Sequence, residues 1–184
     1  MNLKLQKKIT TVDSIERLPA EEMFELLSMK EGDNVLDLGA GTGYVSLAIA
    51  KRVNTVHAFD MDQDILAYLD TQAKERGISN INTVEGDFRK IPLDDKLINI
   101  TIASISLHEV QPLSTALKEI NRVLDDKGLL LCIDFEETAS TSGRRVSSKD
   151  MAAEMQNAGF TIVDTIFPTT KIMNQSIYMI LAQK

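Results

Sequence analysis

Apolar positions in this chain fall either in short unbroken runs or in stripes at helical spacing. Val35, Leu36 and Leu38 make the first run, which reads as a strand buried in a parallel sheet. Val45, Ala48 and Ile49 then recur at helical intervals, and the two-part pattern repeats downstream. Residues 53–59 read as a second strand, and Ile65, Leu66, Leu69 and Ala73 as the apolar stripe of the helix after it. A third strand is placed at 81–85, a fourth, isoleucine-rich, at 97–105, and a fifth, very apolar, at 128–135. Pro112 opens a helix striped by Leu113, Leu117, Ile120 and Leu124, with a turn over 125–128. Ser147 and Asp150 form a capping box for a helix carrying Met151, Met155 and Ala158, and Gly159 ends it. Residues 161–167 and 176–182 are two last strands, joined closely enough for an antiparallel pair. Upstream, Pro19 starts a helix running to about Leu27, whereas residues 1–18 show no clean period. Strands alternating with helices predict an α/β domain built on a mostly parallel, doubly wound seven-stranded sheet.

The sharpest chemistry lies where the first strand meets its helix. Asp37 stands inside the strand, and Gly39, Gly41 and Gly43 follow at alternate positions. Strand, glycine turn and helix open a nucleotide-binding βαβ unit. The dinucleotide fingerprint G-x-G-x-x-G/A fails, because Tyr44 occupies the third position and Gly43 comes one residue early. Asp60 closes the second strand, where an acid can accept both hydroxyls of a ribose. Asp62 is the better placed cap for the helix that follows. Ligands of such folds sit outside the carboxyl ends of the strands, which aims residues 104–109 at the reaction centre.

The stretch LDLGAGTG resembles motif I of the class I S-adenosylmethionine (SAM) dependent methyltransferases, and LKEINRVLDDKGLLLCID is similar to a later part of the same family. The resemblance runs over about residues 20–184. It implies the Rossmann-like methyltransferase sheet of order 3-2-1-4-5-7-6 with strand 7 antiparallel, SAM as cofactor and S-adenosylhomocysteine as product. It also implies a set of cofactor-binding residues. Gly39, Ala40, Gly41, Thr42, Gly43 and Tyr44 would run beneath the ribose and methionine parts, with Asp37 near the ammonium. Asp60, followed by Met61, would hold the ribose. Gly86, Asp87 and Phe88 would meet the adenine, and Ser104 would face the reaction centre. The family's aromatic-Asp pair at the start of strand four is Ile98-Asn99 here, away from the ligand edge.

Composition narrows the partners. The 184 residues suit one domain, 1–184, with 1–18 as an N-terminal arm or lid. A net charge of −7 lacks the basic footprint of a nucleic-acid binder. No apolar run reaches the ~18 residues of a membrane span, and no apolar segment follows Lys4, Lys7 and Lys8 as in a signal peptide; the default compartment is the cytoplasm. The single cysteine, Cys132, sits in an apolar run and reads as core. Residues 104–107 read Ser-Ile-Ser-Leu, not the Pro-Pro-aromatic motif of the amino-methylating DNA enzymes. Leu131 before Cys132 removes the Pro-Cys nucleophile of cytosine ring methylases. Catechol-type metal enzymes group acids at the ends of strands four and five; Asp134 has no acidic partner at Ser104 or Ser106, so no metal is expected. The resemblance then points to small-molecule and ubiquinone/menaquinone-type methyltransferases, acting on a small-molecule acceptor. His108 and Glu109 are the candidate catalytic pair, His108 as proton acceptor and Glu109 to orient the imidazole or the substrate. Two other classes compete: a SAM-binding sensor or partner subunit without catalysis, and an NAD-dependent oxidoreductase.

Overall fold

The computed structural model describes residues 3–137 and 143–184. Seven strands form one sheet in the order β3-β2-β1-β4-β5-β7-β6. They are β1 (Asn34–Leu38), β2 (Thr55–Asp60), β3 (Ile81–Glu85), β4 (Ile98–Ser104), β5 (Leu124–Phe135), β6 (Thr161–Ile166) and β7 (Ile177–Gln183). β1 to β5 run parallel, and β7 lies antiparallel to both β5 and β6. The order and the reversed seventh strand are those the methyltransferase resemblance implies.

The helices divide between the two faces of the sheet. α2 (Ala20–Leu26) and α3 (Tyr44–Ile49) share a core with Val35, Val56, Ile100, Ile102, Leu131 and Ile133. On the other face, α5 (Leu113–Val123) and α6 (Ser148–Asn157) pack Leu117, Ile120, Met151 and Met155 against Leu36, Leu130, Cys132 and Ile180. Side chains that alternate along each strand therefore enter different cores, which is why the strands read as unbroken apolar runs. α4 (Gln63–Glu75) packs Leu69 against Ala40 and Ala58. It begins at Asp62, whose carboxylate accepts the N–H groups of Asp64 (3.1 Å) and Ile65 (3.3 Å), as the capping argument requires.

Two elements differ from the sequence expectation. The patternless segment 1–18 contains a helix, α1 (Leu3–Asp13). Only Ile9 of it is fully buried, so its apolar stripe is too thin to register as a period. The turn expected at 125–128 is a bulge inside β5: Ile98 pairs with Leu124 and Ile100 with Leu129, so three extra residues loop out on β5. Asn99 donates to the Asp125 carboxylate across it (2.7 Å). Of the polar loop expected at 136–147, residues 138–142 lie outside the described residues. No helix among the described residues is long and apolar enough to cross a membrane.

Candidate active site

The carboxyl ends of β1, β2 and β4 converge beneath the glycine loop. Gly39 and Gly41 lie at φ +86° and +51°, in the left-handed region that a side chain resists. The N–H groups of Gly39 and Ala40 both donate to the Phe59 carbonyl, at 2.8 and 3.0 Å, which folds the loop back over the end of β2. A Cβ on Gly39 would stand 2.8 Å from Ser106 Cβ and 3.4 Å from the Phe88 ring. The loop is thus pressed between the turn after β4 and Gly86-Asp87-Phe88, with no room for a side chain. Ser106 Oγ donates to the Leu38 carbonyl (2.9 Å) and ties that turn to the end of β1.

Asp60 is the hinge of this corner. Its Oδ2 accepts the Gly41 N–H (3.0 Å) and its Oδ1 the Asp62 N–H (3.0 Å), so one carboxylate orders the glycine loop and the entry to α4. Each oxygen keeps a further lone pair. Met61, the next residue, is 75% exposed and leaves the rim open. Gly86 donates its N–H to the Asp60 carbonyl (3.1 Å), which joins the third ligand segment to the second.

Asp37 is buried and faces α3, where its Oδ2 accepts the Ser46 N–H (2.9 Å) and Oγ–H (2.6 Å). Burial pushes its carboxyl up to about 6, against the opposing pull of the Ser46 hydrogen bonds. Its second oxygen makes no hydrogen bond among the described residues. A carboxylate held this way without a cation is costly to ionise, and an ammonium group brought to it would remove the cost. Arg17, in the segment between α1 and α2, acts on it electrostatically. Among the described residues its half-buried guanidinium bonds to main-chain carbonyls, of Ile15 (2.8 Å), Val12 (3.4 Å) and Glu16 (3.5 Å). Burial pulls its pKa below the usual arginine range, with Tyr44, Asp13 and Asp37 acting against that shift. Sequence reasoning passed over Arg17 because it lies in the segment without a period.

α1 crosses the open side of the glycine loop. Lys8 pairs with Asp62 (2.5 Å), Thr42 Oγ1 donates to Asp13 (2.6 Å), and Val12 is the atom a Cβ on Gly41 would meet, at 3.2 Å. Tyr44 donates its hydroxyl to the Leu18 carbonyl (2.6 Å) and fastens the next stretch of the arm to α3. Thr42 and Tyr44 thus serve the arm in this structure.

Of the adenine candidates, Phe88 is packed with its ring centroid 5.6 Å from that of Phe59, beside the loop. Asp87 is half exposed and binds the Arg89 guanidinium through both oxygens, which holds its carboxyl down at about 2. Ser104 is the last residue of β4, and Ile105 after it sits at φ +55°, which is rare for a β-branched side chain. The Ile105 N–H still donates to the Ile133 carbonyl (2.7 Å), so the chain leaves the sheet sharply there and enters a short 3-10 turn, Leu107–Glu109.

That turn carries His108, which is 6% exposed, and Glu109, whose side chain is 79% exposed. The structure adds a partner that the sequence reading considered only as a metal ligand. Asp134, fully buried near the end of β5, places Oδ1 2.7 Å from His108 Nδ1, while its Oδ2 accepts the His108 main-chain N–H at 3.2 Å. The carboxylate stands beside Nδ1 rather than in line with a ring N–H, so the contact is electrostatic in this geometry. Nε2 faces the other way, 3.9 Å from Glu109 Oε1. Phe135 meets the imidazole edge-on at 6.3 Å between centroids, and the Arg145 guanidinium covers the Phe135 ring at 4.5 Å. His57, the other histidine, lies inside β2, and burial pulls its pKa below the usual imidazole range. Among the described residues no three His, Cys, Asp or Glu side chains gather in a way that could hold a metal ion.

Residues 35–128 match the family described as Methyltransferase domain. The demethylmenaquinone methyltransferase of Bacillus subtilis is 26% identical over 120 residues, which cover 64% of this chain and 52% of that protein. The enzyme of the same name from Staphylococcus carnosus is 27% identical over 135 residues, covering 71% and 55%. The chain spans about half the length of the curated relatives it matches. A SAM-dependent methyltransferase from Aquifex aeolicus superposes with a TM-score of 0.83 at 22% identity, over 96% of this chain and 97% of that one. The [4+2]-cyclase SpnF superposes at 0.82 and 20% identity, over 90% and 79%. At these identities the structural likeness speaks for the fold, which hosts more than one chemistry.

Proposed function

The chain belongs to the methyltransferase-domain family, matched over residues 35–128, and from that premise we propose that it transfers a methyl group from SAM to a small-molecule acceptor. The observation that carries the reading is the corner built by Asp37, the glycine loop and Asp60. It offers a buried carboxylate with one unbonded oxygen, a loop without side chains, and a second carboxylate with lone pairs to spare. When bound, SAM supplies an activated methyl group on a sulfonium, so the protein's task is mainly orientation.

In this reading Asp37 takes the ammonium, and Arg17, close enough to act on Asp37, takes the carboxylate. Gly39, Ala40, Gly41, Thr42, Gly43 and Tyr44 form the floor. Asp60 accepts the ribose hydroxyls beside Met61. Gly86 and Phe88 bound the adenine, and Asp87 reaches its amino group by leaving Arg89. Ser104 faces the methyl group, while α1 and the rest of 1–18 act as the lid. His108, with Glu109 at the mouth, takes the acceptor's proton.

Calorimetry with SAM, S-adenosylhomocysteine and NADH tests the cofactor. SAM and its product should bind and NADH should not. Asp60→Ala should weaken SAM at least tenfold, since charge-assisted hydrogen bonds contribute about 1.5–3 kcal/mol each. NADH binding without a SAM response refutes the reading. The acceptor assay starts with reduced demethylmenaquinone, after the name of the relatives. SAM binding with no turnover on that or a broad panel of small molecules would favour a SAM-binding sensor.

A further inference from the structure

Resting on the methyl-transfer reading, we infer that Asp134 is a positioning residue for His108, and that the pair fits the site to an acceptor bearing a weakly acidic hydroxyl. Asp134 touches His108 twice, at the main-chain N–H and at Nδ1. It is itself held by the Phe135 N–H, which donates to Oδ1 at 2.8 Å. A fully buried carboxylate is costly unless something nearby compensates it. Among the described residues its partners are these two main-chain N–H groups and the imidazole. No lysine or arginine forms an ion pair with it.

The chemistry follows from the two ring nitrogens. A carboxylate beside Nδ1 favours the tautomer with the proton on Nδ1, which leaves the Nε2 lone pair free on the side of Glu109. Nε2 is then the ring nitrogen placed to take a proton. The groups facing the imidazole are Asp134 from β5, Glu109 from its own turn, and the Phe135 ring, which separates it from Arg145. Neither acid repels a positive ring.

Such a base serves an acceptor that arrives protonated and gains nucleophilicity on losing that proton: a phenol, enol or hydroquinone hydroxyl. A thiolate or a neutral amine attacks without it. The hydroxyl proton moves to Nε2 as the oxygen's electron pair forms the bond to the methyl carbon. The carbon–sulfur pair stays on sulfur, which leaves as a neutral thioether, and the imidazolium then gives its proton to water.

The first test needs no variant. Nitrogen-15 NMR of the wild-type His108 ring should show the proton on Nδ1 and a bare Nε2; a ring protonated on Nε2 overturns the proposal. In Asp134→Asn that preference should be lost. With SAM and 1,4-naphthohydroquinone as probe acceptor, Asp134→Asn should lower kcat by ~10²-fold or more at a nearly unchanged KM. SAM affinity by calorimetry should stay within about threefold, as for a group remote from the cofactor. Thiophenol, offered as its thiolate, is the comparison acceptor for the wild type. Unchanged kcat and unchanged tautomer in Asp134→Asn defeat this inference alone, whereas absence of SAM binding in the wild type defeats the methyl-transfer reading beneath it. If the wild type methylates thiophenol but not the naphthohydroquinone, the assigned acceptor class is wrong.

Discussion

Asp37 carries the clearest residue-scale consequence. Its carboxyl is raised from 3.8 to about 6 by burial, so the folded state holds this proton more tightly than the unfolded chain does. For a raised acid the folded state is favoured while the group stays protonated, and that advantage is lost as pH climbs from about 4 through about 6. The loss is a few kcal/mol, at 1.36 kcal/mol per unit. Asp37→Asn keeps an oxygen for Ser46 but no charge. Thermal melts between pH 4.5 and 8 should show the wild type losing stability with rising pH, and the variant nearly flat over that window. The same substitution should weaken SAM binding, and wild-type affinity should rise as pH passes 6, because the cofactor's ammonium favours the ionised acid. A wild-type melting curve without this pH slope would show that Asp37 is better solvated than its burial suggests.

Among elements, the glycine loop and α1 decide access to the site. Gly43 is the N-cap of α3 at φ +94°, and a Cβ there would lie 2.1 Å from Cδ1 of Leu69, which is fully buried in α4. Gly43→Ala combines an unfavourable backbone of about 1–2 kcal/mol with overpacking of about 1–3 kcal/mol. Its denaturant midpoint should fall sharply. Gly41→Val places its branches against Val12 of α1 and over the loop surface. It should lose SAM binding while its unfolding remains cooperative. The two glycines are thus separable by experiment: Gly43 is required by packing between α3 and α4, and Gly41 by what must lie above it.

At the scale of the whole molecule, the sheet brings distant segments to one edge. β4 lies between β1 and β5, which sets the glycine loop, the 107–109 turn and Asp134 side by side although they are far apart in the chain. A ligand spanning these strand ends binds only the folded state, so it should stabilise the domain as a unit. At a concentration 100 times Kd the gain is about 2.7 kcal/mol, or roughly 5–10 °C in Tm for a chain of this size. Scanning calorimetry with SAM should show one transition moving upward. A cofactor that left the main transition in place and shifted only a minor one would mean that α1 and the arm respond while the sheet does not.

The sequence by itself determined the strands and most helices, because both faces of the sheet are covered and burial writes itself as continuous apolar runs. It also determined the glycine loop, since only glycine tolerates the positive φ there, and Asp62 as the cap of α4, since an N-cap has a fixed place before its helix. The SAM resemblance likewise rested on residues that are neighbours in sequence. Tertiary structure decided the rest. α1 was hidden because a helix lying on the surface with Ile9 alone fully buried needs almost no apolar stripe. Arg17 acquires meaning only when the arm folds beside Asp37. The His108–Asp134 contact joins two residues 26 positions apart. No local period or motif links them: only the parallel pairing of β4 with β5 and the positive φ of Ile105 bring the imidazole over the buried carboxylate.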